Sequence, residues 1–160
     1  VAFGLRQHTK LGEEEIAKIV LRKLRMVGLV GREDLLPGQL SGGMKKRVSL
    51  ARAIANNPEV VLYDEPAAGL DPVMTEKIDR LILGARRMTG VTSVVVTHYM
   101  NSAMRIADRI AMLHEGKVIA VDTKERMQET TDPVVYQFIH GMKRPGTAAM
   151  RRMLSEGKHE

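Results

Sequence analysis

Ser41-Gly42-Gly43, Asp64-Glu65 and His98 are the residues of this 160-residue sequence whose types and placement could do chemistry. A serine and two glycines at a helix start offer a hydroxyl and unhindered backbone N–H groups at the positive end of the helix dipole, a natural seat for phosphate. Taken alone, Ser-Gly-Gly is an ordinary helix cap. Asp64 and Glu65 close the apolar run Val60-Val61-Leu62-Tyr63 and precede Pro66. A carboxylate at the end of a buried strand suits Mg²⁺ held largely through water. Its neighbour, turned the other way by strand alternation, can orient and polarise a water that attacks a phosphoryl group. His98 follows the second apolar run, Val94-Val95-Val96-Thr97, and can hydrogen-bond both the phosphate and that water. Asp71, just before Pro72, is a helix N-cap by type. The other histidines, His8, His114, His140 and His159, have no metal-ligand spacing and read as surface or structural.

These groups act together only if the chain brings them to one rim, and the hydrophobic pattern says that it does. Apolar residues Ile16, Ile19, Val20, Leu24 and Val27 recur at helical spacing behind three first-turn glutamates, predicting a helix over 13–27. Gly28 to Gly38, with Pro37, reads as a connecting loop. A helix is expected from Ser41 to about Asn56, with Val48, Ala51, Ile54 and Ala55 inward and Lys45, Lys46, Arg47 and Arg52 mostly solvated. Val60–Tyr63 and Thr92–Thr97 have the continuous apolar character of parallel strands covered on both faces. Between them, Asp71 and Pro72 open a helix with Met74, Ile78, Leu81, Ile82 and Ala85 as its core stripe, closed by Gly90. Ser102 to Asp108 reads as a further helix. Strand, helix, strand, helix implies an α/β fold with a parallel sheet, whose ligands bind at the carboxyl ends of the strands. That rule brings Asp64, Glu65 and His98 to one edge despite their separation in sequence. Beyond them, Arg109–His114 and Lys117–Val121 flank Glu115-Gly116 as an antiparallel hairpin, and Asp132-Pro133 starts a last short helix toward Gly141. The basic segment that follows has weak periodicity and reads as a candidate disordered tail.

Composition narrows the classes. With 44% apolar residues the chain can bury a core, and its 3% aromatics and 11 methionines make that core aliphatic. The net charge of +6 suits an anionic partner or plain solubility. Lacking Trp and a recognised reader fold, the chain gives no reason to expect nucleic acid binding. It has no Cys, which excludes disulfides and thiolate metal sites. No apolar run approaches the about 20 residues of a membrane-spanning helix.

In order and spacing, Leu40-Ser41-Gly42-Gly43-Met44, Tyr63-Asp64-Glu65-Pro66, Ala68-Gly69-Leu70-Asp71 and His98 resemble the signature motif, Walker B strand, D-loop and switch histidine of the ATP-binding-cassette (ABC) ATPases. The resemblance covers Val1 to Gly141. Together with the stretch Arg105 to Lys117, these motifs look most similar to the ATPase subunits of MCE-type lipid importers, among them the phospholipid-asymmetry and toluene-tolerance systems. The fold so implied is a partial P-loop NTPase (ABC ATPase) α/β fold, a parallel sheet flanked by helices, with a helical signature subdomain and a C-terminal β-hairpin. Three regions follow: 1–58 with the signature, 59–121 as the catalytic-core half, and 122–160 as a helical extension and basic tail.

The resemblance implies ATP and Mg²⁺ as cofactors, with Ser41, Gly42 and Gly43 contacting phosphate across a dimer and Asp71 crossing to the partner subunit. Asp64 would serve the metal, Glu65 would be the catalytic base and His98 the γ-phosphate switch. It further implies a homodimeric ATPase bound to a transmembrane permease, cytoplasmic and peripheral on the inner face of the cell membrane, moving phospholipid or another hydrophobic substrate. Membrane contact would be indirect. Two departures stand out. No Gly-x-x-x-x-Gly-Lys-Ser/Thr loop occurs, the Gly-Lys pairs being Gly116-Lys117 and Gly157-Lys158, and Tyr99 follows His98 where the family commonly has an acid. The chain, which lacks an initiating Met, is therefore expected to be one part of a larger protein, inactive alone, with marginal stability and an uncovered sheet face or edge. The alternative is a non-catalytic half-cassette that only binds a permease or partner ATPase.

Overall fold

A computed structural model describes residues 1–141; the expected basic tail from Met142 lies outside the described residues. They divide between Ile106 and Ala107 into two compact units.

The first unit opens with helix α1 (Ala2–His8) and α2 (Glu13–Met26). Glu15 reaches back to the N–H of Gly12 at 3.0 Å, capping the start of α2, and Glu13 pairs bidentately with Arg6 at 2.8 and 2.7 Å. α2 ends because Gly28 takes a left-handed conformation (φ 67°): its N–H bonds Arg25 O and that of Leu29 bonds Leu24 O, with Leu24 and Leu29 both entering the core. The loop that follows contains one 3-10 turn, Pro37–Gln39. α3 (Gly42–Ala53) is capped by Ser41, whose Oγ accepts from Met44 N at 3.3 Å. α4 (Pro72–Thr89) is capped by Asp71, which accepts from Met74 N at 2.9 Å, and ends at left-handed Gly90.

Strands β1 (Val60–Asp64) and β2 (Thr92–Val96) pair in parallel, Asp64 opposite Val96, with α4 as the crossover between them. The main core gathers Leu24, Leu50, Ile54, Val61, Tyr63, Ile78 and Ile82, so the signature-bearing helix α3 and the acidic strand share one interior. The helices of this cluster cover the Val61 and Tyr63 side of the sheet. Leu62, 75% exposed, and Val60, Val94 and Val96 lie bare on the other side. Cover on both faces, expected from the continuous apolar runs, is therefore not present among the described residues, whereas the expected uncovered face is. The helix after His98 also differs from expectation. α5 runs Met100–Ile106, two residues earlier, because the N–H groups of Ser102 and Ala103 both bond Tyr99 O at 3.0 Å.

The second unit holds β3 (Arg109–His114) and β4 (Lys117–Thr123), an antiparallel hairpin with one register shift after Met112. Glu115 and Gly116 both have positive φ, 47° and 74°, which is the two-residue turn the Glu-Gly pair predicts. A short helix not foreseen, α6 (Lys124–Gln128), starts on Thr123, whose hydroxyl accepts from Arg126 N. α7 (Pro133–His140) starts on Asp132 as expected and, with α6 and the hairpin, buries Met112, Met127 and Val135.

Candidate functional site

The two glycines after Ser41 stay small for different reasons. A Cβ on Gly43 would come within 2.7 Å of Met74 Cε, so this glycine leaves room for the Met74 side chain of α4 against the first turn of α3. Nothing lies within 4 Å of a Cβ on Gly42, and Ser41 and Gly42 are both exposed. The open N-terminus of α3 therefore presents N–H groups to solvent at the positive end of the helix, where an anion can approach the backbone.

At the carboxyl ends of β1 and β2, Glu65 and His98 meet. The N–H of Glu65 donates to Val96 O at 2.9 Å, extending the parallel ladder one step beyond Asp64, while its φ of 44° turns the chain out of the strand. A left-handed glutamate is strained, and strain of this kind persists where surroundings over-determine it. Here they do. The Glu65 carboxylate takes three donors: His98 N–H to Oε1 at 3.0 Å, His98 Nδ1 to Oε1 at 2.6 Å, and Thr97 Oγ1 to Oε2 at 3.3 Å. Partial burial pushes this carboxyl up, but the bonds from the His98 ring and backbone and from Thr97 outweigh it and hold it below the usual carboxylate range. Glu65 is thus anionic at neutral pH, Nδ1 of His98 carries the shared proton, and Nε2 is left for another partner. Among the described residues, Oε2 takes only the long Thr97 contact.

Asp64 is exposed at the end of β1 and has no hydrogen-bond or ion-pair partner among the described residues. Those residues contain no group of three or more His, Asp or Glu that could cage a metal. A single free carboxylate fits a divalent ion of the Mg²⁺ type, which keeps several waters and takes its remaining ligands from substrate phosphates. Asp71 is exposed beside the start of α4 and is occupied as its cap. The Tyr99 ring lies 4.3 Å from the His98 ring.

Three features of the site escaped the sequence reading. Lys46 and Arg47, expected to be mostly solvated, are half-buried and donate to main-chain carbonyls: Lys46 Nζ to Glu65 O at 3.1 Å, Arg47 Nη1 to Gly28 O at 3.2 Å. A charge run on one face gives no sign of which cations fold back onto neighbouring elements. Thr97 not only reaches Glu65 but accepts from Tyr99 N at 3.1 Å, shaping the turn that carries His98. A threonine two residues before an unpaired N–H at a strand end is the signal that could have found it. Asp79, wholly buried in α4, takes Ser102 Oγ and Arg105 Nη1 of α5 and fixes the helix behind His98.

Similarity to known proteins runs through this part of the chain. The ABC transporter family model matches residues 4–68, a span that encloses Ser41–Gly43 and Asp64–Glu65. The chain is 43% identical over 140 residues to a probable ribonucleotide transport ATP-binding protein, mkl, of Mycobacterium leprae, a match covering 88% of this chain and 40% of that protein. It is 43% identical over 141 residues to the intermembrane phospholipid transport system ATP-binding protein MlaF of Haemophilus influenzae, and 40% identical over 142 residues to that of Escherichia coli K12. Residues 4–68 thus match the ABC transporter family model, and 88% of the chain is similar to part of these ATP-binding proteins. Among solved structures, the ATP-binding cassette MJ0796, in a dimeric post-hydrolysis state with ADP and Pi, is 38% identical with a TM-score of 0.68, over 78% of this chain and 54% of that one. The chain spans 40% of the length of mkl and 53% of that of MlaF. Its fold is that of part of an ABC ATPase, a parallel sheet with flanking helices. No described helix is long and apolar enough to cross a membrane.

Proposed function

We propose that this chain serves in the ATP-binding and ATP-hydrolysing subunit of an ABC transporter that moves phospholipid or another hydrophobic substrate. The observation that carries the reading is the Glu65–His98 pair, held at 2.6 Å where β1 and β2 end. In this reading residues 1–58 carry the signature, 59–121 the catalytic half and 122–160 an extension. Glu65 accepts a proton from the attacking water through Oε2, and His98 turns Nε2 toward the γ-phosphate. Ser41, Gly42 and Gly43 offer N–H groups and a hydroxyl to the triphosphate of a second subunit, with Asp71 beside them at the subunit boundary. Asp64 would hold Mg²⁺, which supplies neutralisation of phosphate charge when bound. The working assembly is a homodimer docked on a membrane permease from the cytoplasmic side. Support for the lipid substrate comes from likeness to proteins named for phospholipid transport.

The test mixes this chain with an N-terminal fragment bearing a phosphate-binding loop and follows phosphate release. Magnesium-dependent ATP hydrolysis that disappears in Glu65→Gln is the expected result. Association of the two fragments without hydrolysis would refute it and leave a partner-binding half-cassette.

A further inference from the structure

We propose that Lys46 is a positioning residue for Glu65, tying the helix that starts at the phosphate-facing turn to the carboxylate that orients water. The inference deepens the proposed function and rests on it for its catalytic meaning, while the link itself is structural. Lys46 lies on α3 in the turn after Ser41-Gly42-Gly43, and its ammonium donates to the main-chain carbonyl of Glu65 at 3.1 Å. The same carbonyl accepts Ala68 N at 3.1 Å, and the Glu65 N–H is held by Val96 O at 2.9 Å. Both peptide groups that flank the Glu65 Cα are therefore fixed around a φ of 44°, a conformation uncommon for a glutamate. That backbone direction aims the side chain at His98 and Thr97 instead of along the strand.

A charged donor to a half-buried carbonyl is stronger than a neutral one and has direction. If α3 shifts when an anion settles on its first turn, Lys46 carries the shift to Glu65 within the same subunit. Neither Lys45, which is exposed, nor Arg47, bonded to Gly28 O, can substitute.

The experiment compares amide hydrogen exchange and ring nitrogen resonances by NMR in the full chain and in Lys46→Met and Lys46→Arg. In Lys46→Met, exchange at Ala68 and His98, whose amides bond the Glu65 carbonyl and carboxylate, is expected to quicken on the order of tenfold. The Val94 amide, which faces β1 in the ladder, should keep its rate and the His98 Nδ1 resonance should move toward that of a free imidazole. Lys46→Arg should restore the original values, and Lys46→Ala, which also has no donor, should repeat the Met pattern should the Met variant fail to fold. Unchanged Ala68 and His98 signals, or a uniform rise that includes Val94, would overturn the proposal. In the reconstituted ATPase, Lys46→Met should lower kcat on the order of tenfold with KM for ATP unchanged. A wild-type assembly that hydrolyses nothing counts against the proposed function, and the exchange data still decide on Lys46.

Discussion

The backbone N–H and the ring Nδ1 of His98 converge on one oxygen, Oε1, of Glu65, at 3.0 and 2.6 Å. One carboxylate oxygen thus fixes both the turn that carries the imidazole and the orientation of its ring, and the other takes the Thr97 hydroxyl at 3.3 Å. The arrangement makes each residue depend on its partner, and that dependence can be measured.

In the reconstituted ATPase, Glu65→Gln removes the proton acceptor while keeping the shape of the side chain, and His98→Ala removes the ring. Each should lower turnover on the order of 100-fold or more, the usual weight of a positioned acid–base group. Nucleotide affinity should persist in both. Steady-state phosphate release and equilibrium nucleotide binding check the two halves of this statement.

Acid should weaken the fold through Glu65. Its carboxyl lies below the ordinary range in the folded chain, because the His98 and Thr97 bonds outweigh the upward push of burial. A folded pKa below the unfolded one means that the unfolded state binds more protons as pH falls, so the stabilisation is whole above the ordinary carboxylate range and is lost as pH drops through the folded value. Denaturant midpoints of wild type and Glu65→Gln, measured from pH 7 downward, should therefore converge below about pH 4.

Asp79 should be among the costliest positions to truncate. Asp79→Ala strands Ser102 Oγ and Arg105 in the α4–α5 contact, a loss of roughly 2–4 kcal/mol, with the lower end favoured because the Arg105 side chain is 38% exposed. Ser102→Ala, which leaves Arg105 to pair the carboxylate, should cost about 1 kcal/mol. Urea unfolding of both variants tests the order.

The adjacent glycines should separate stability from binding. Gly42→Ala meets open space and should leave the denaturant midpoint unchanged or slightly higher, while weakening nucleotide-dependent dimerisation by crowding the approach to the backbone. Gly43→Ala must displace the end of Met74, a flexible tip, and should cost about 1 kcal/mol. Denaturant curves paired with sedimentation in the presence of ATP distinguish the two.

Much of this was legible from residue types alone. Asp71-Pro72 and Asp132-Pro133 named their helix starts, Gly28 and Gly90 their helix ends, and Glu115-Gly116 a turn whose two positive φ angles make it a tight hairpin. The meeting of Glu65 with His98 followed from the rule that parallel strands gather their carboxyl ends on one edge. What stayed hidden depended on tertiary placement. Leu62 has the composition of a buried strand residue but faces out, because apolar runs report what a strand could bury and not what is beside it. Asp79 interrupts the core stripe of α4 in the sequence yet is buried outright, and its partners stand a whole strand away on α5. Lys46 looks like any lysine on a helix face until the Glu65 carbonyl is found at its tip.

The contact between Gly43 and Met74 leaves its mark on how the segment can move. Because Gly43 carries no side chain, the thioether end of Met74 lies against the opening turn of α3, and that pliable tip is what joins the two helix starts there. A small push on either start is taken up by a turn of the methionine before it reaches the other.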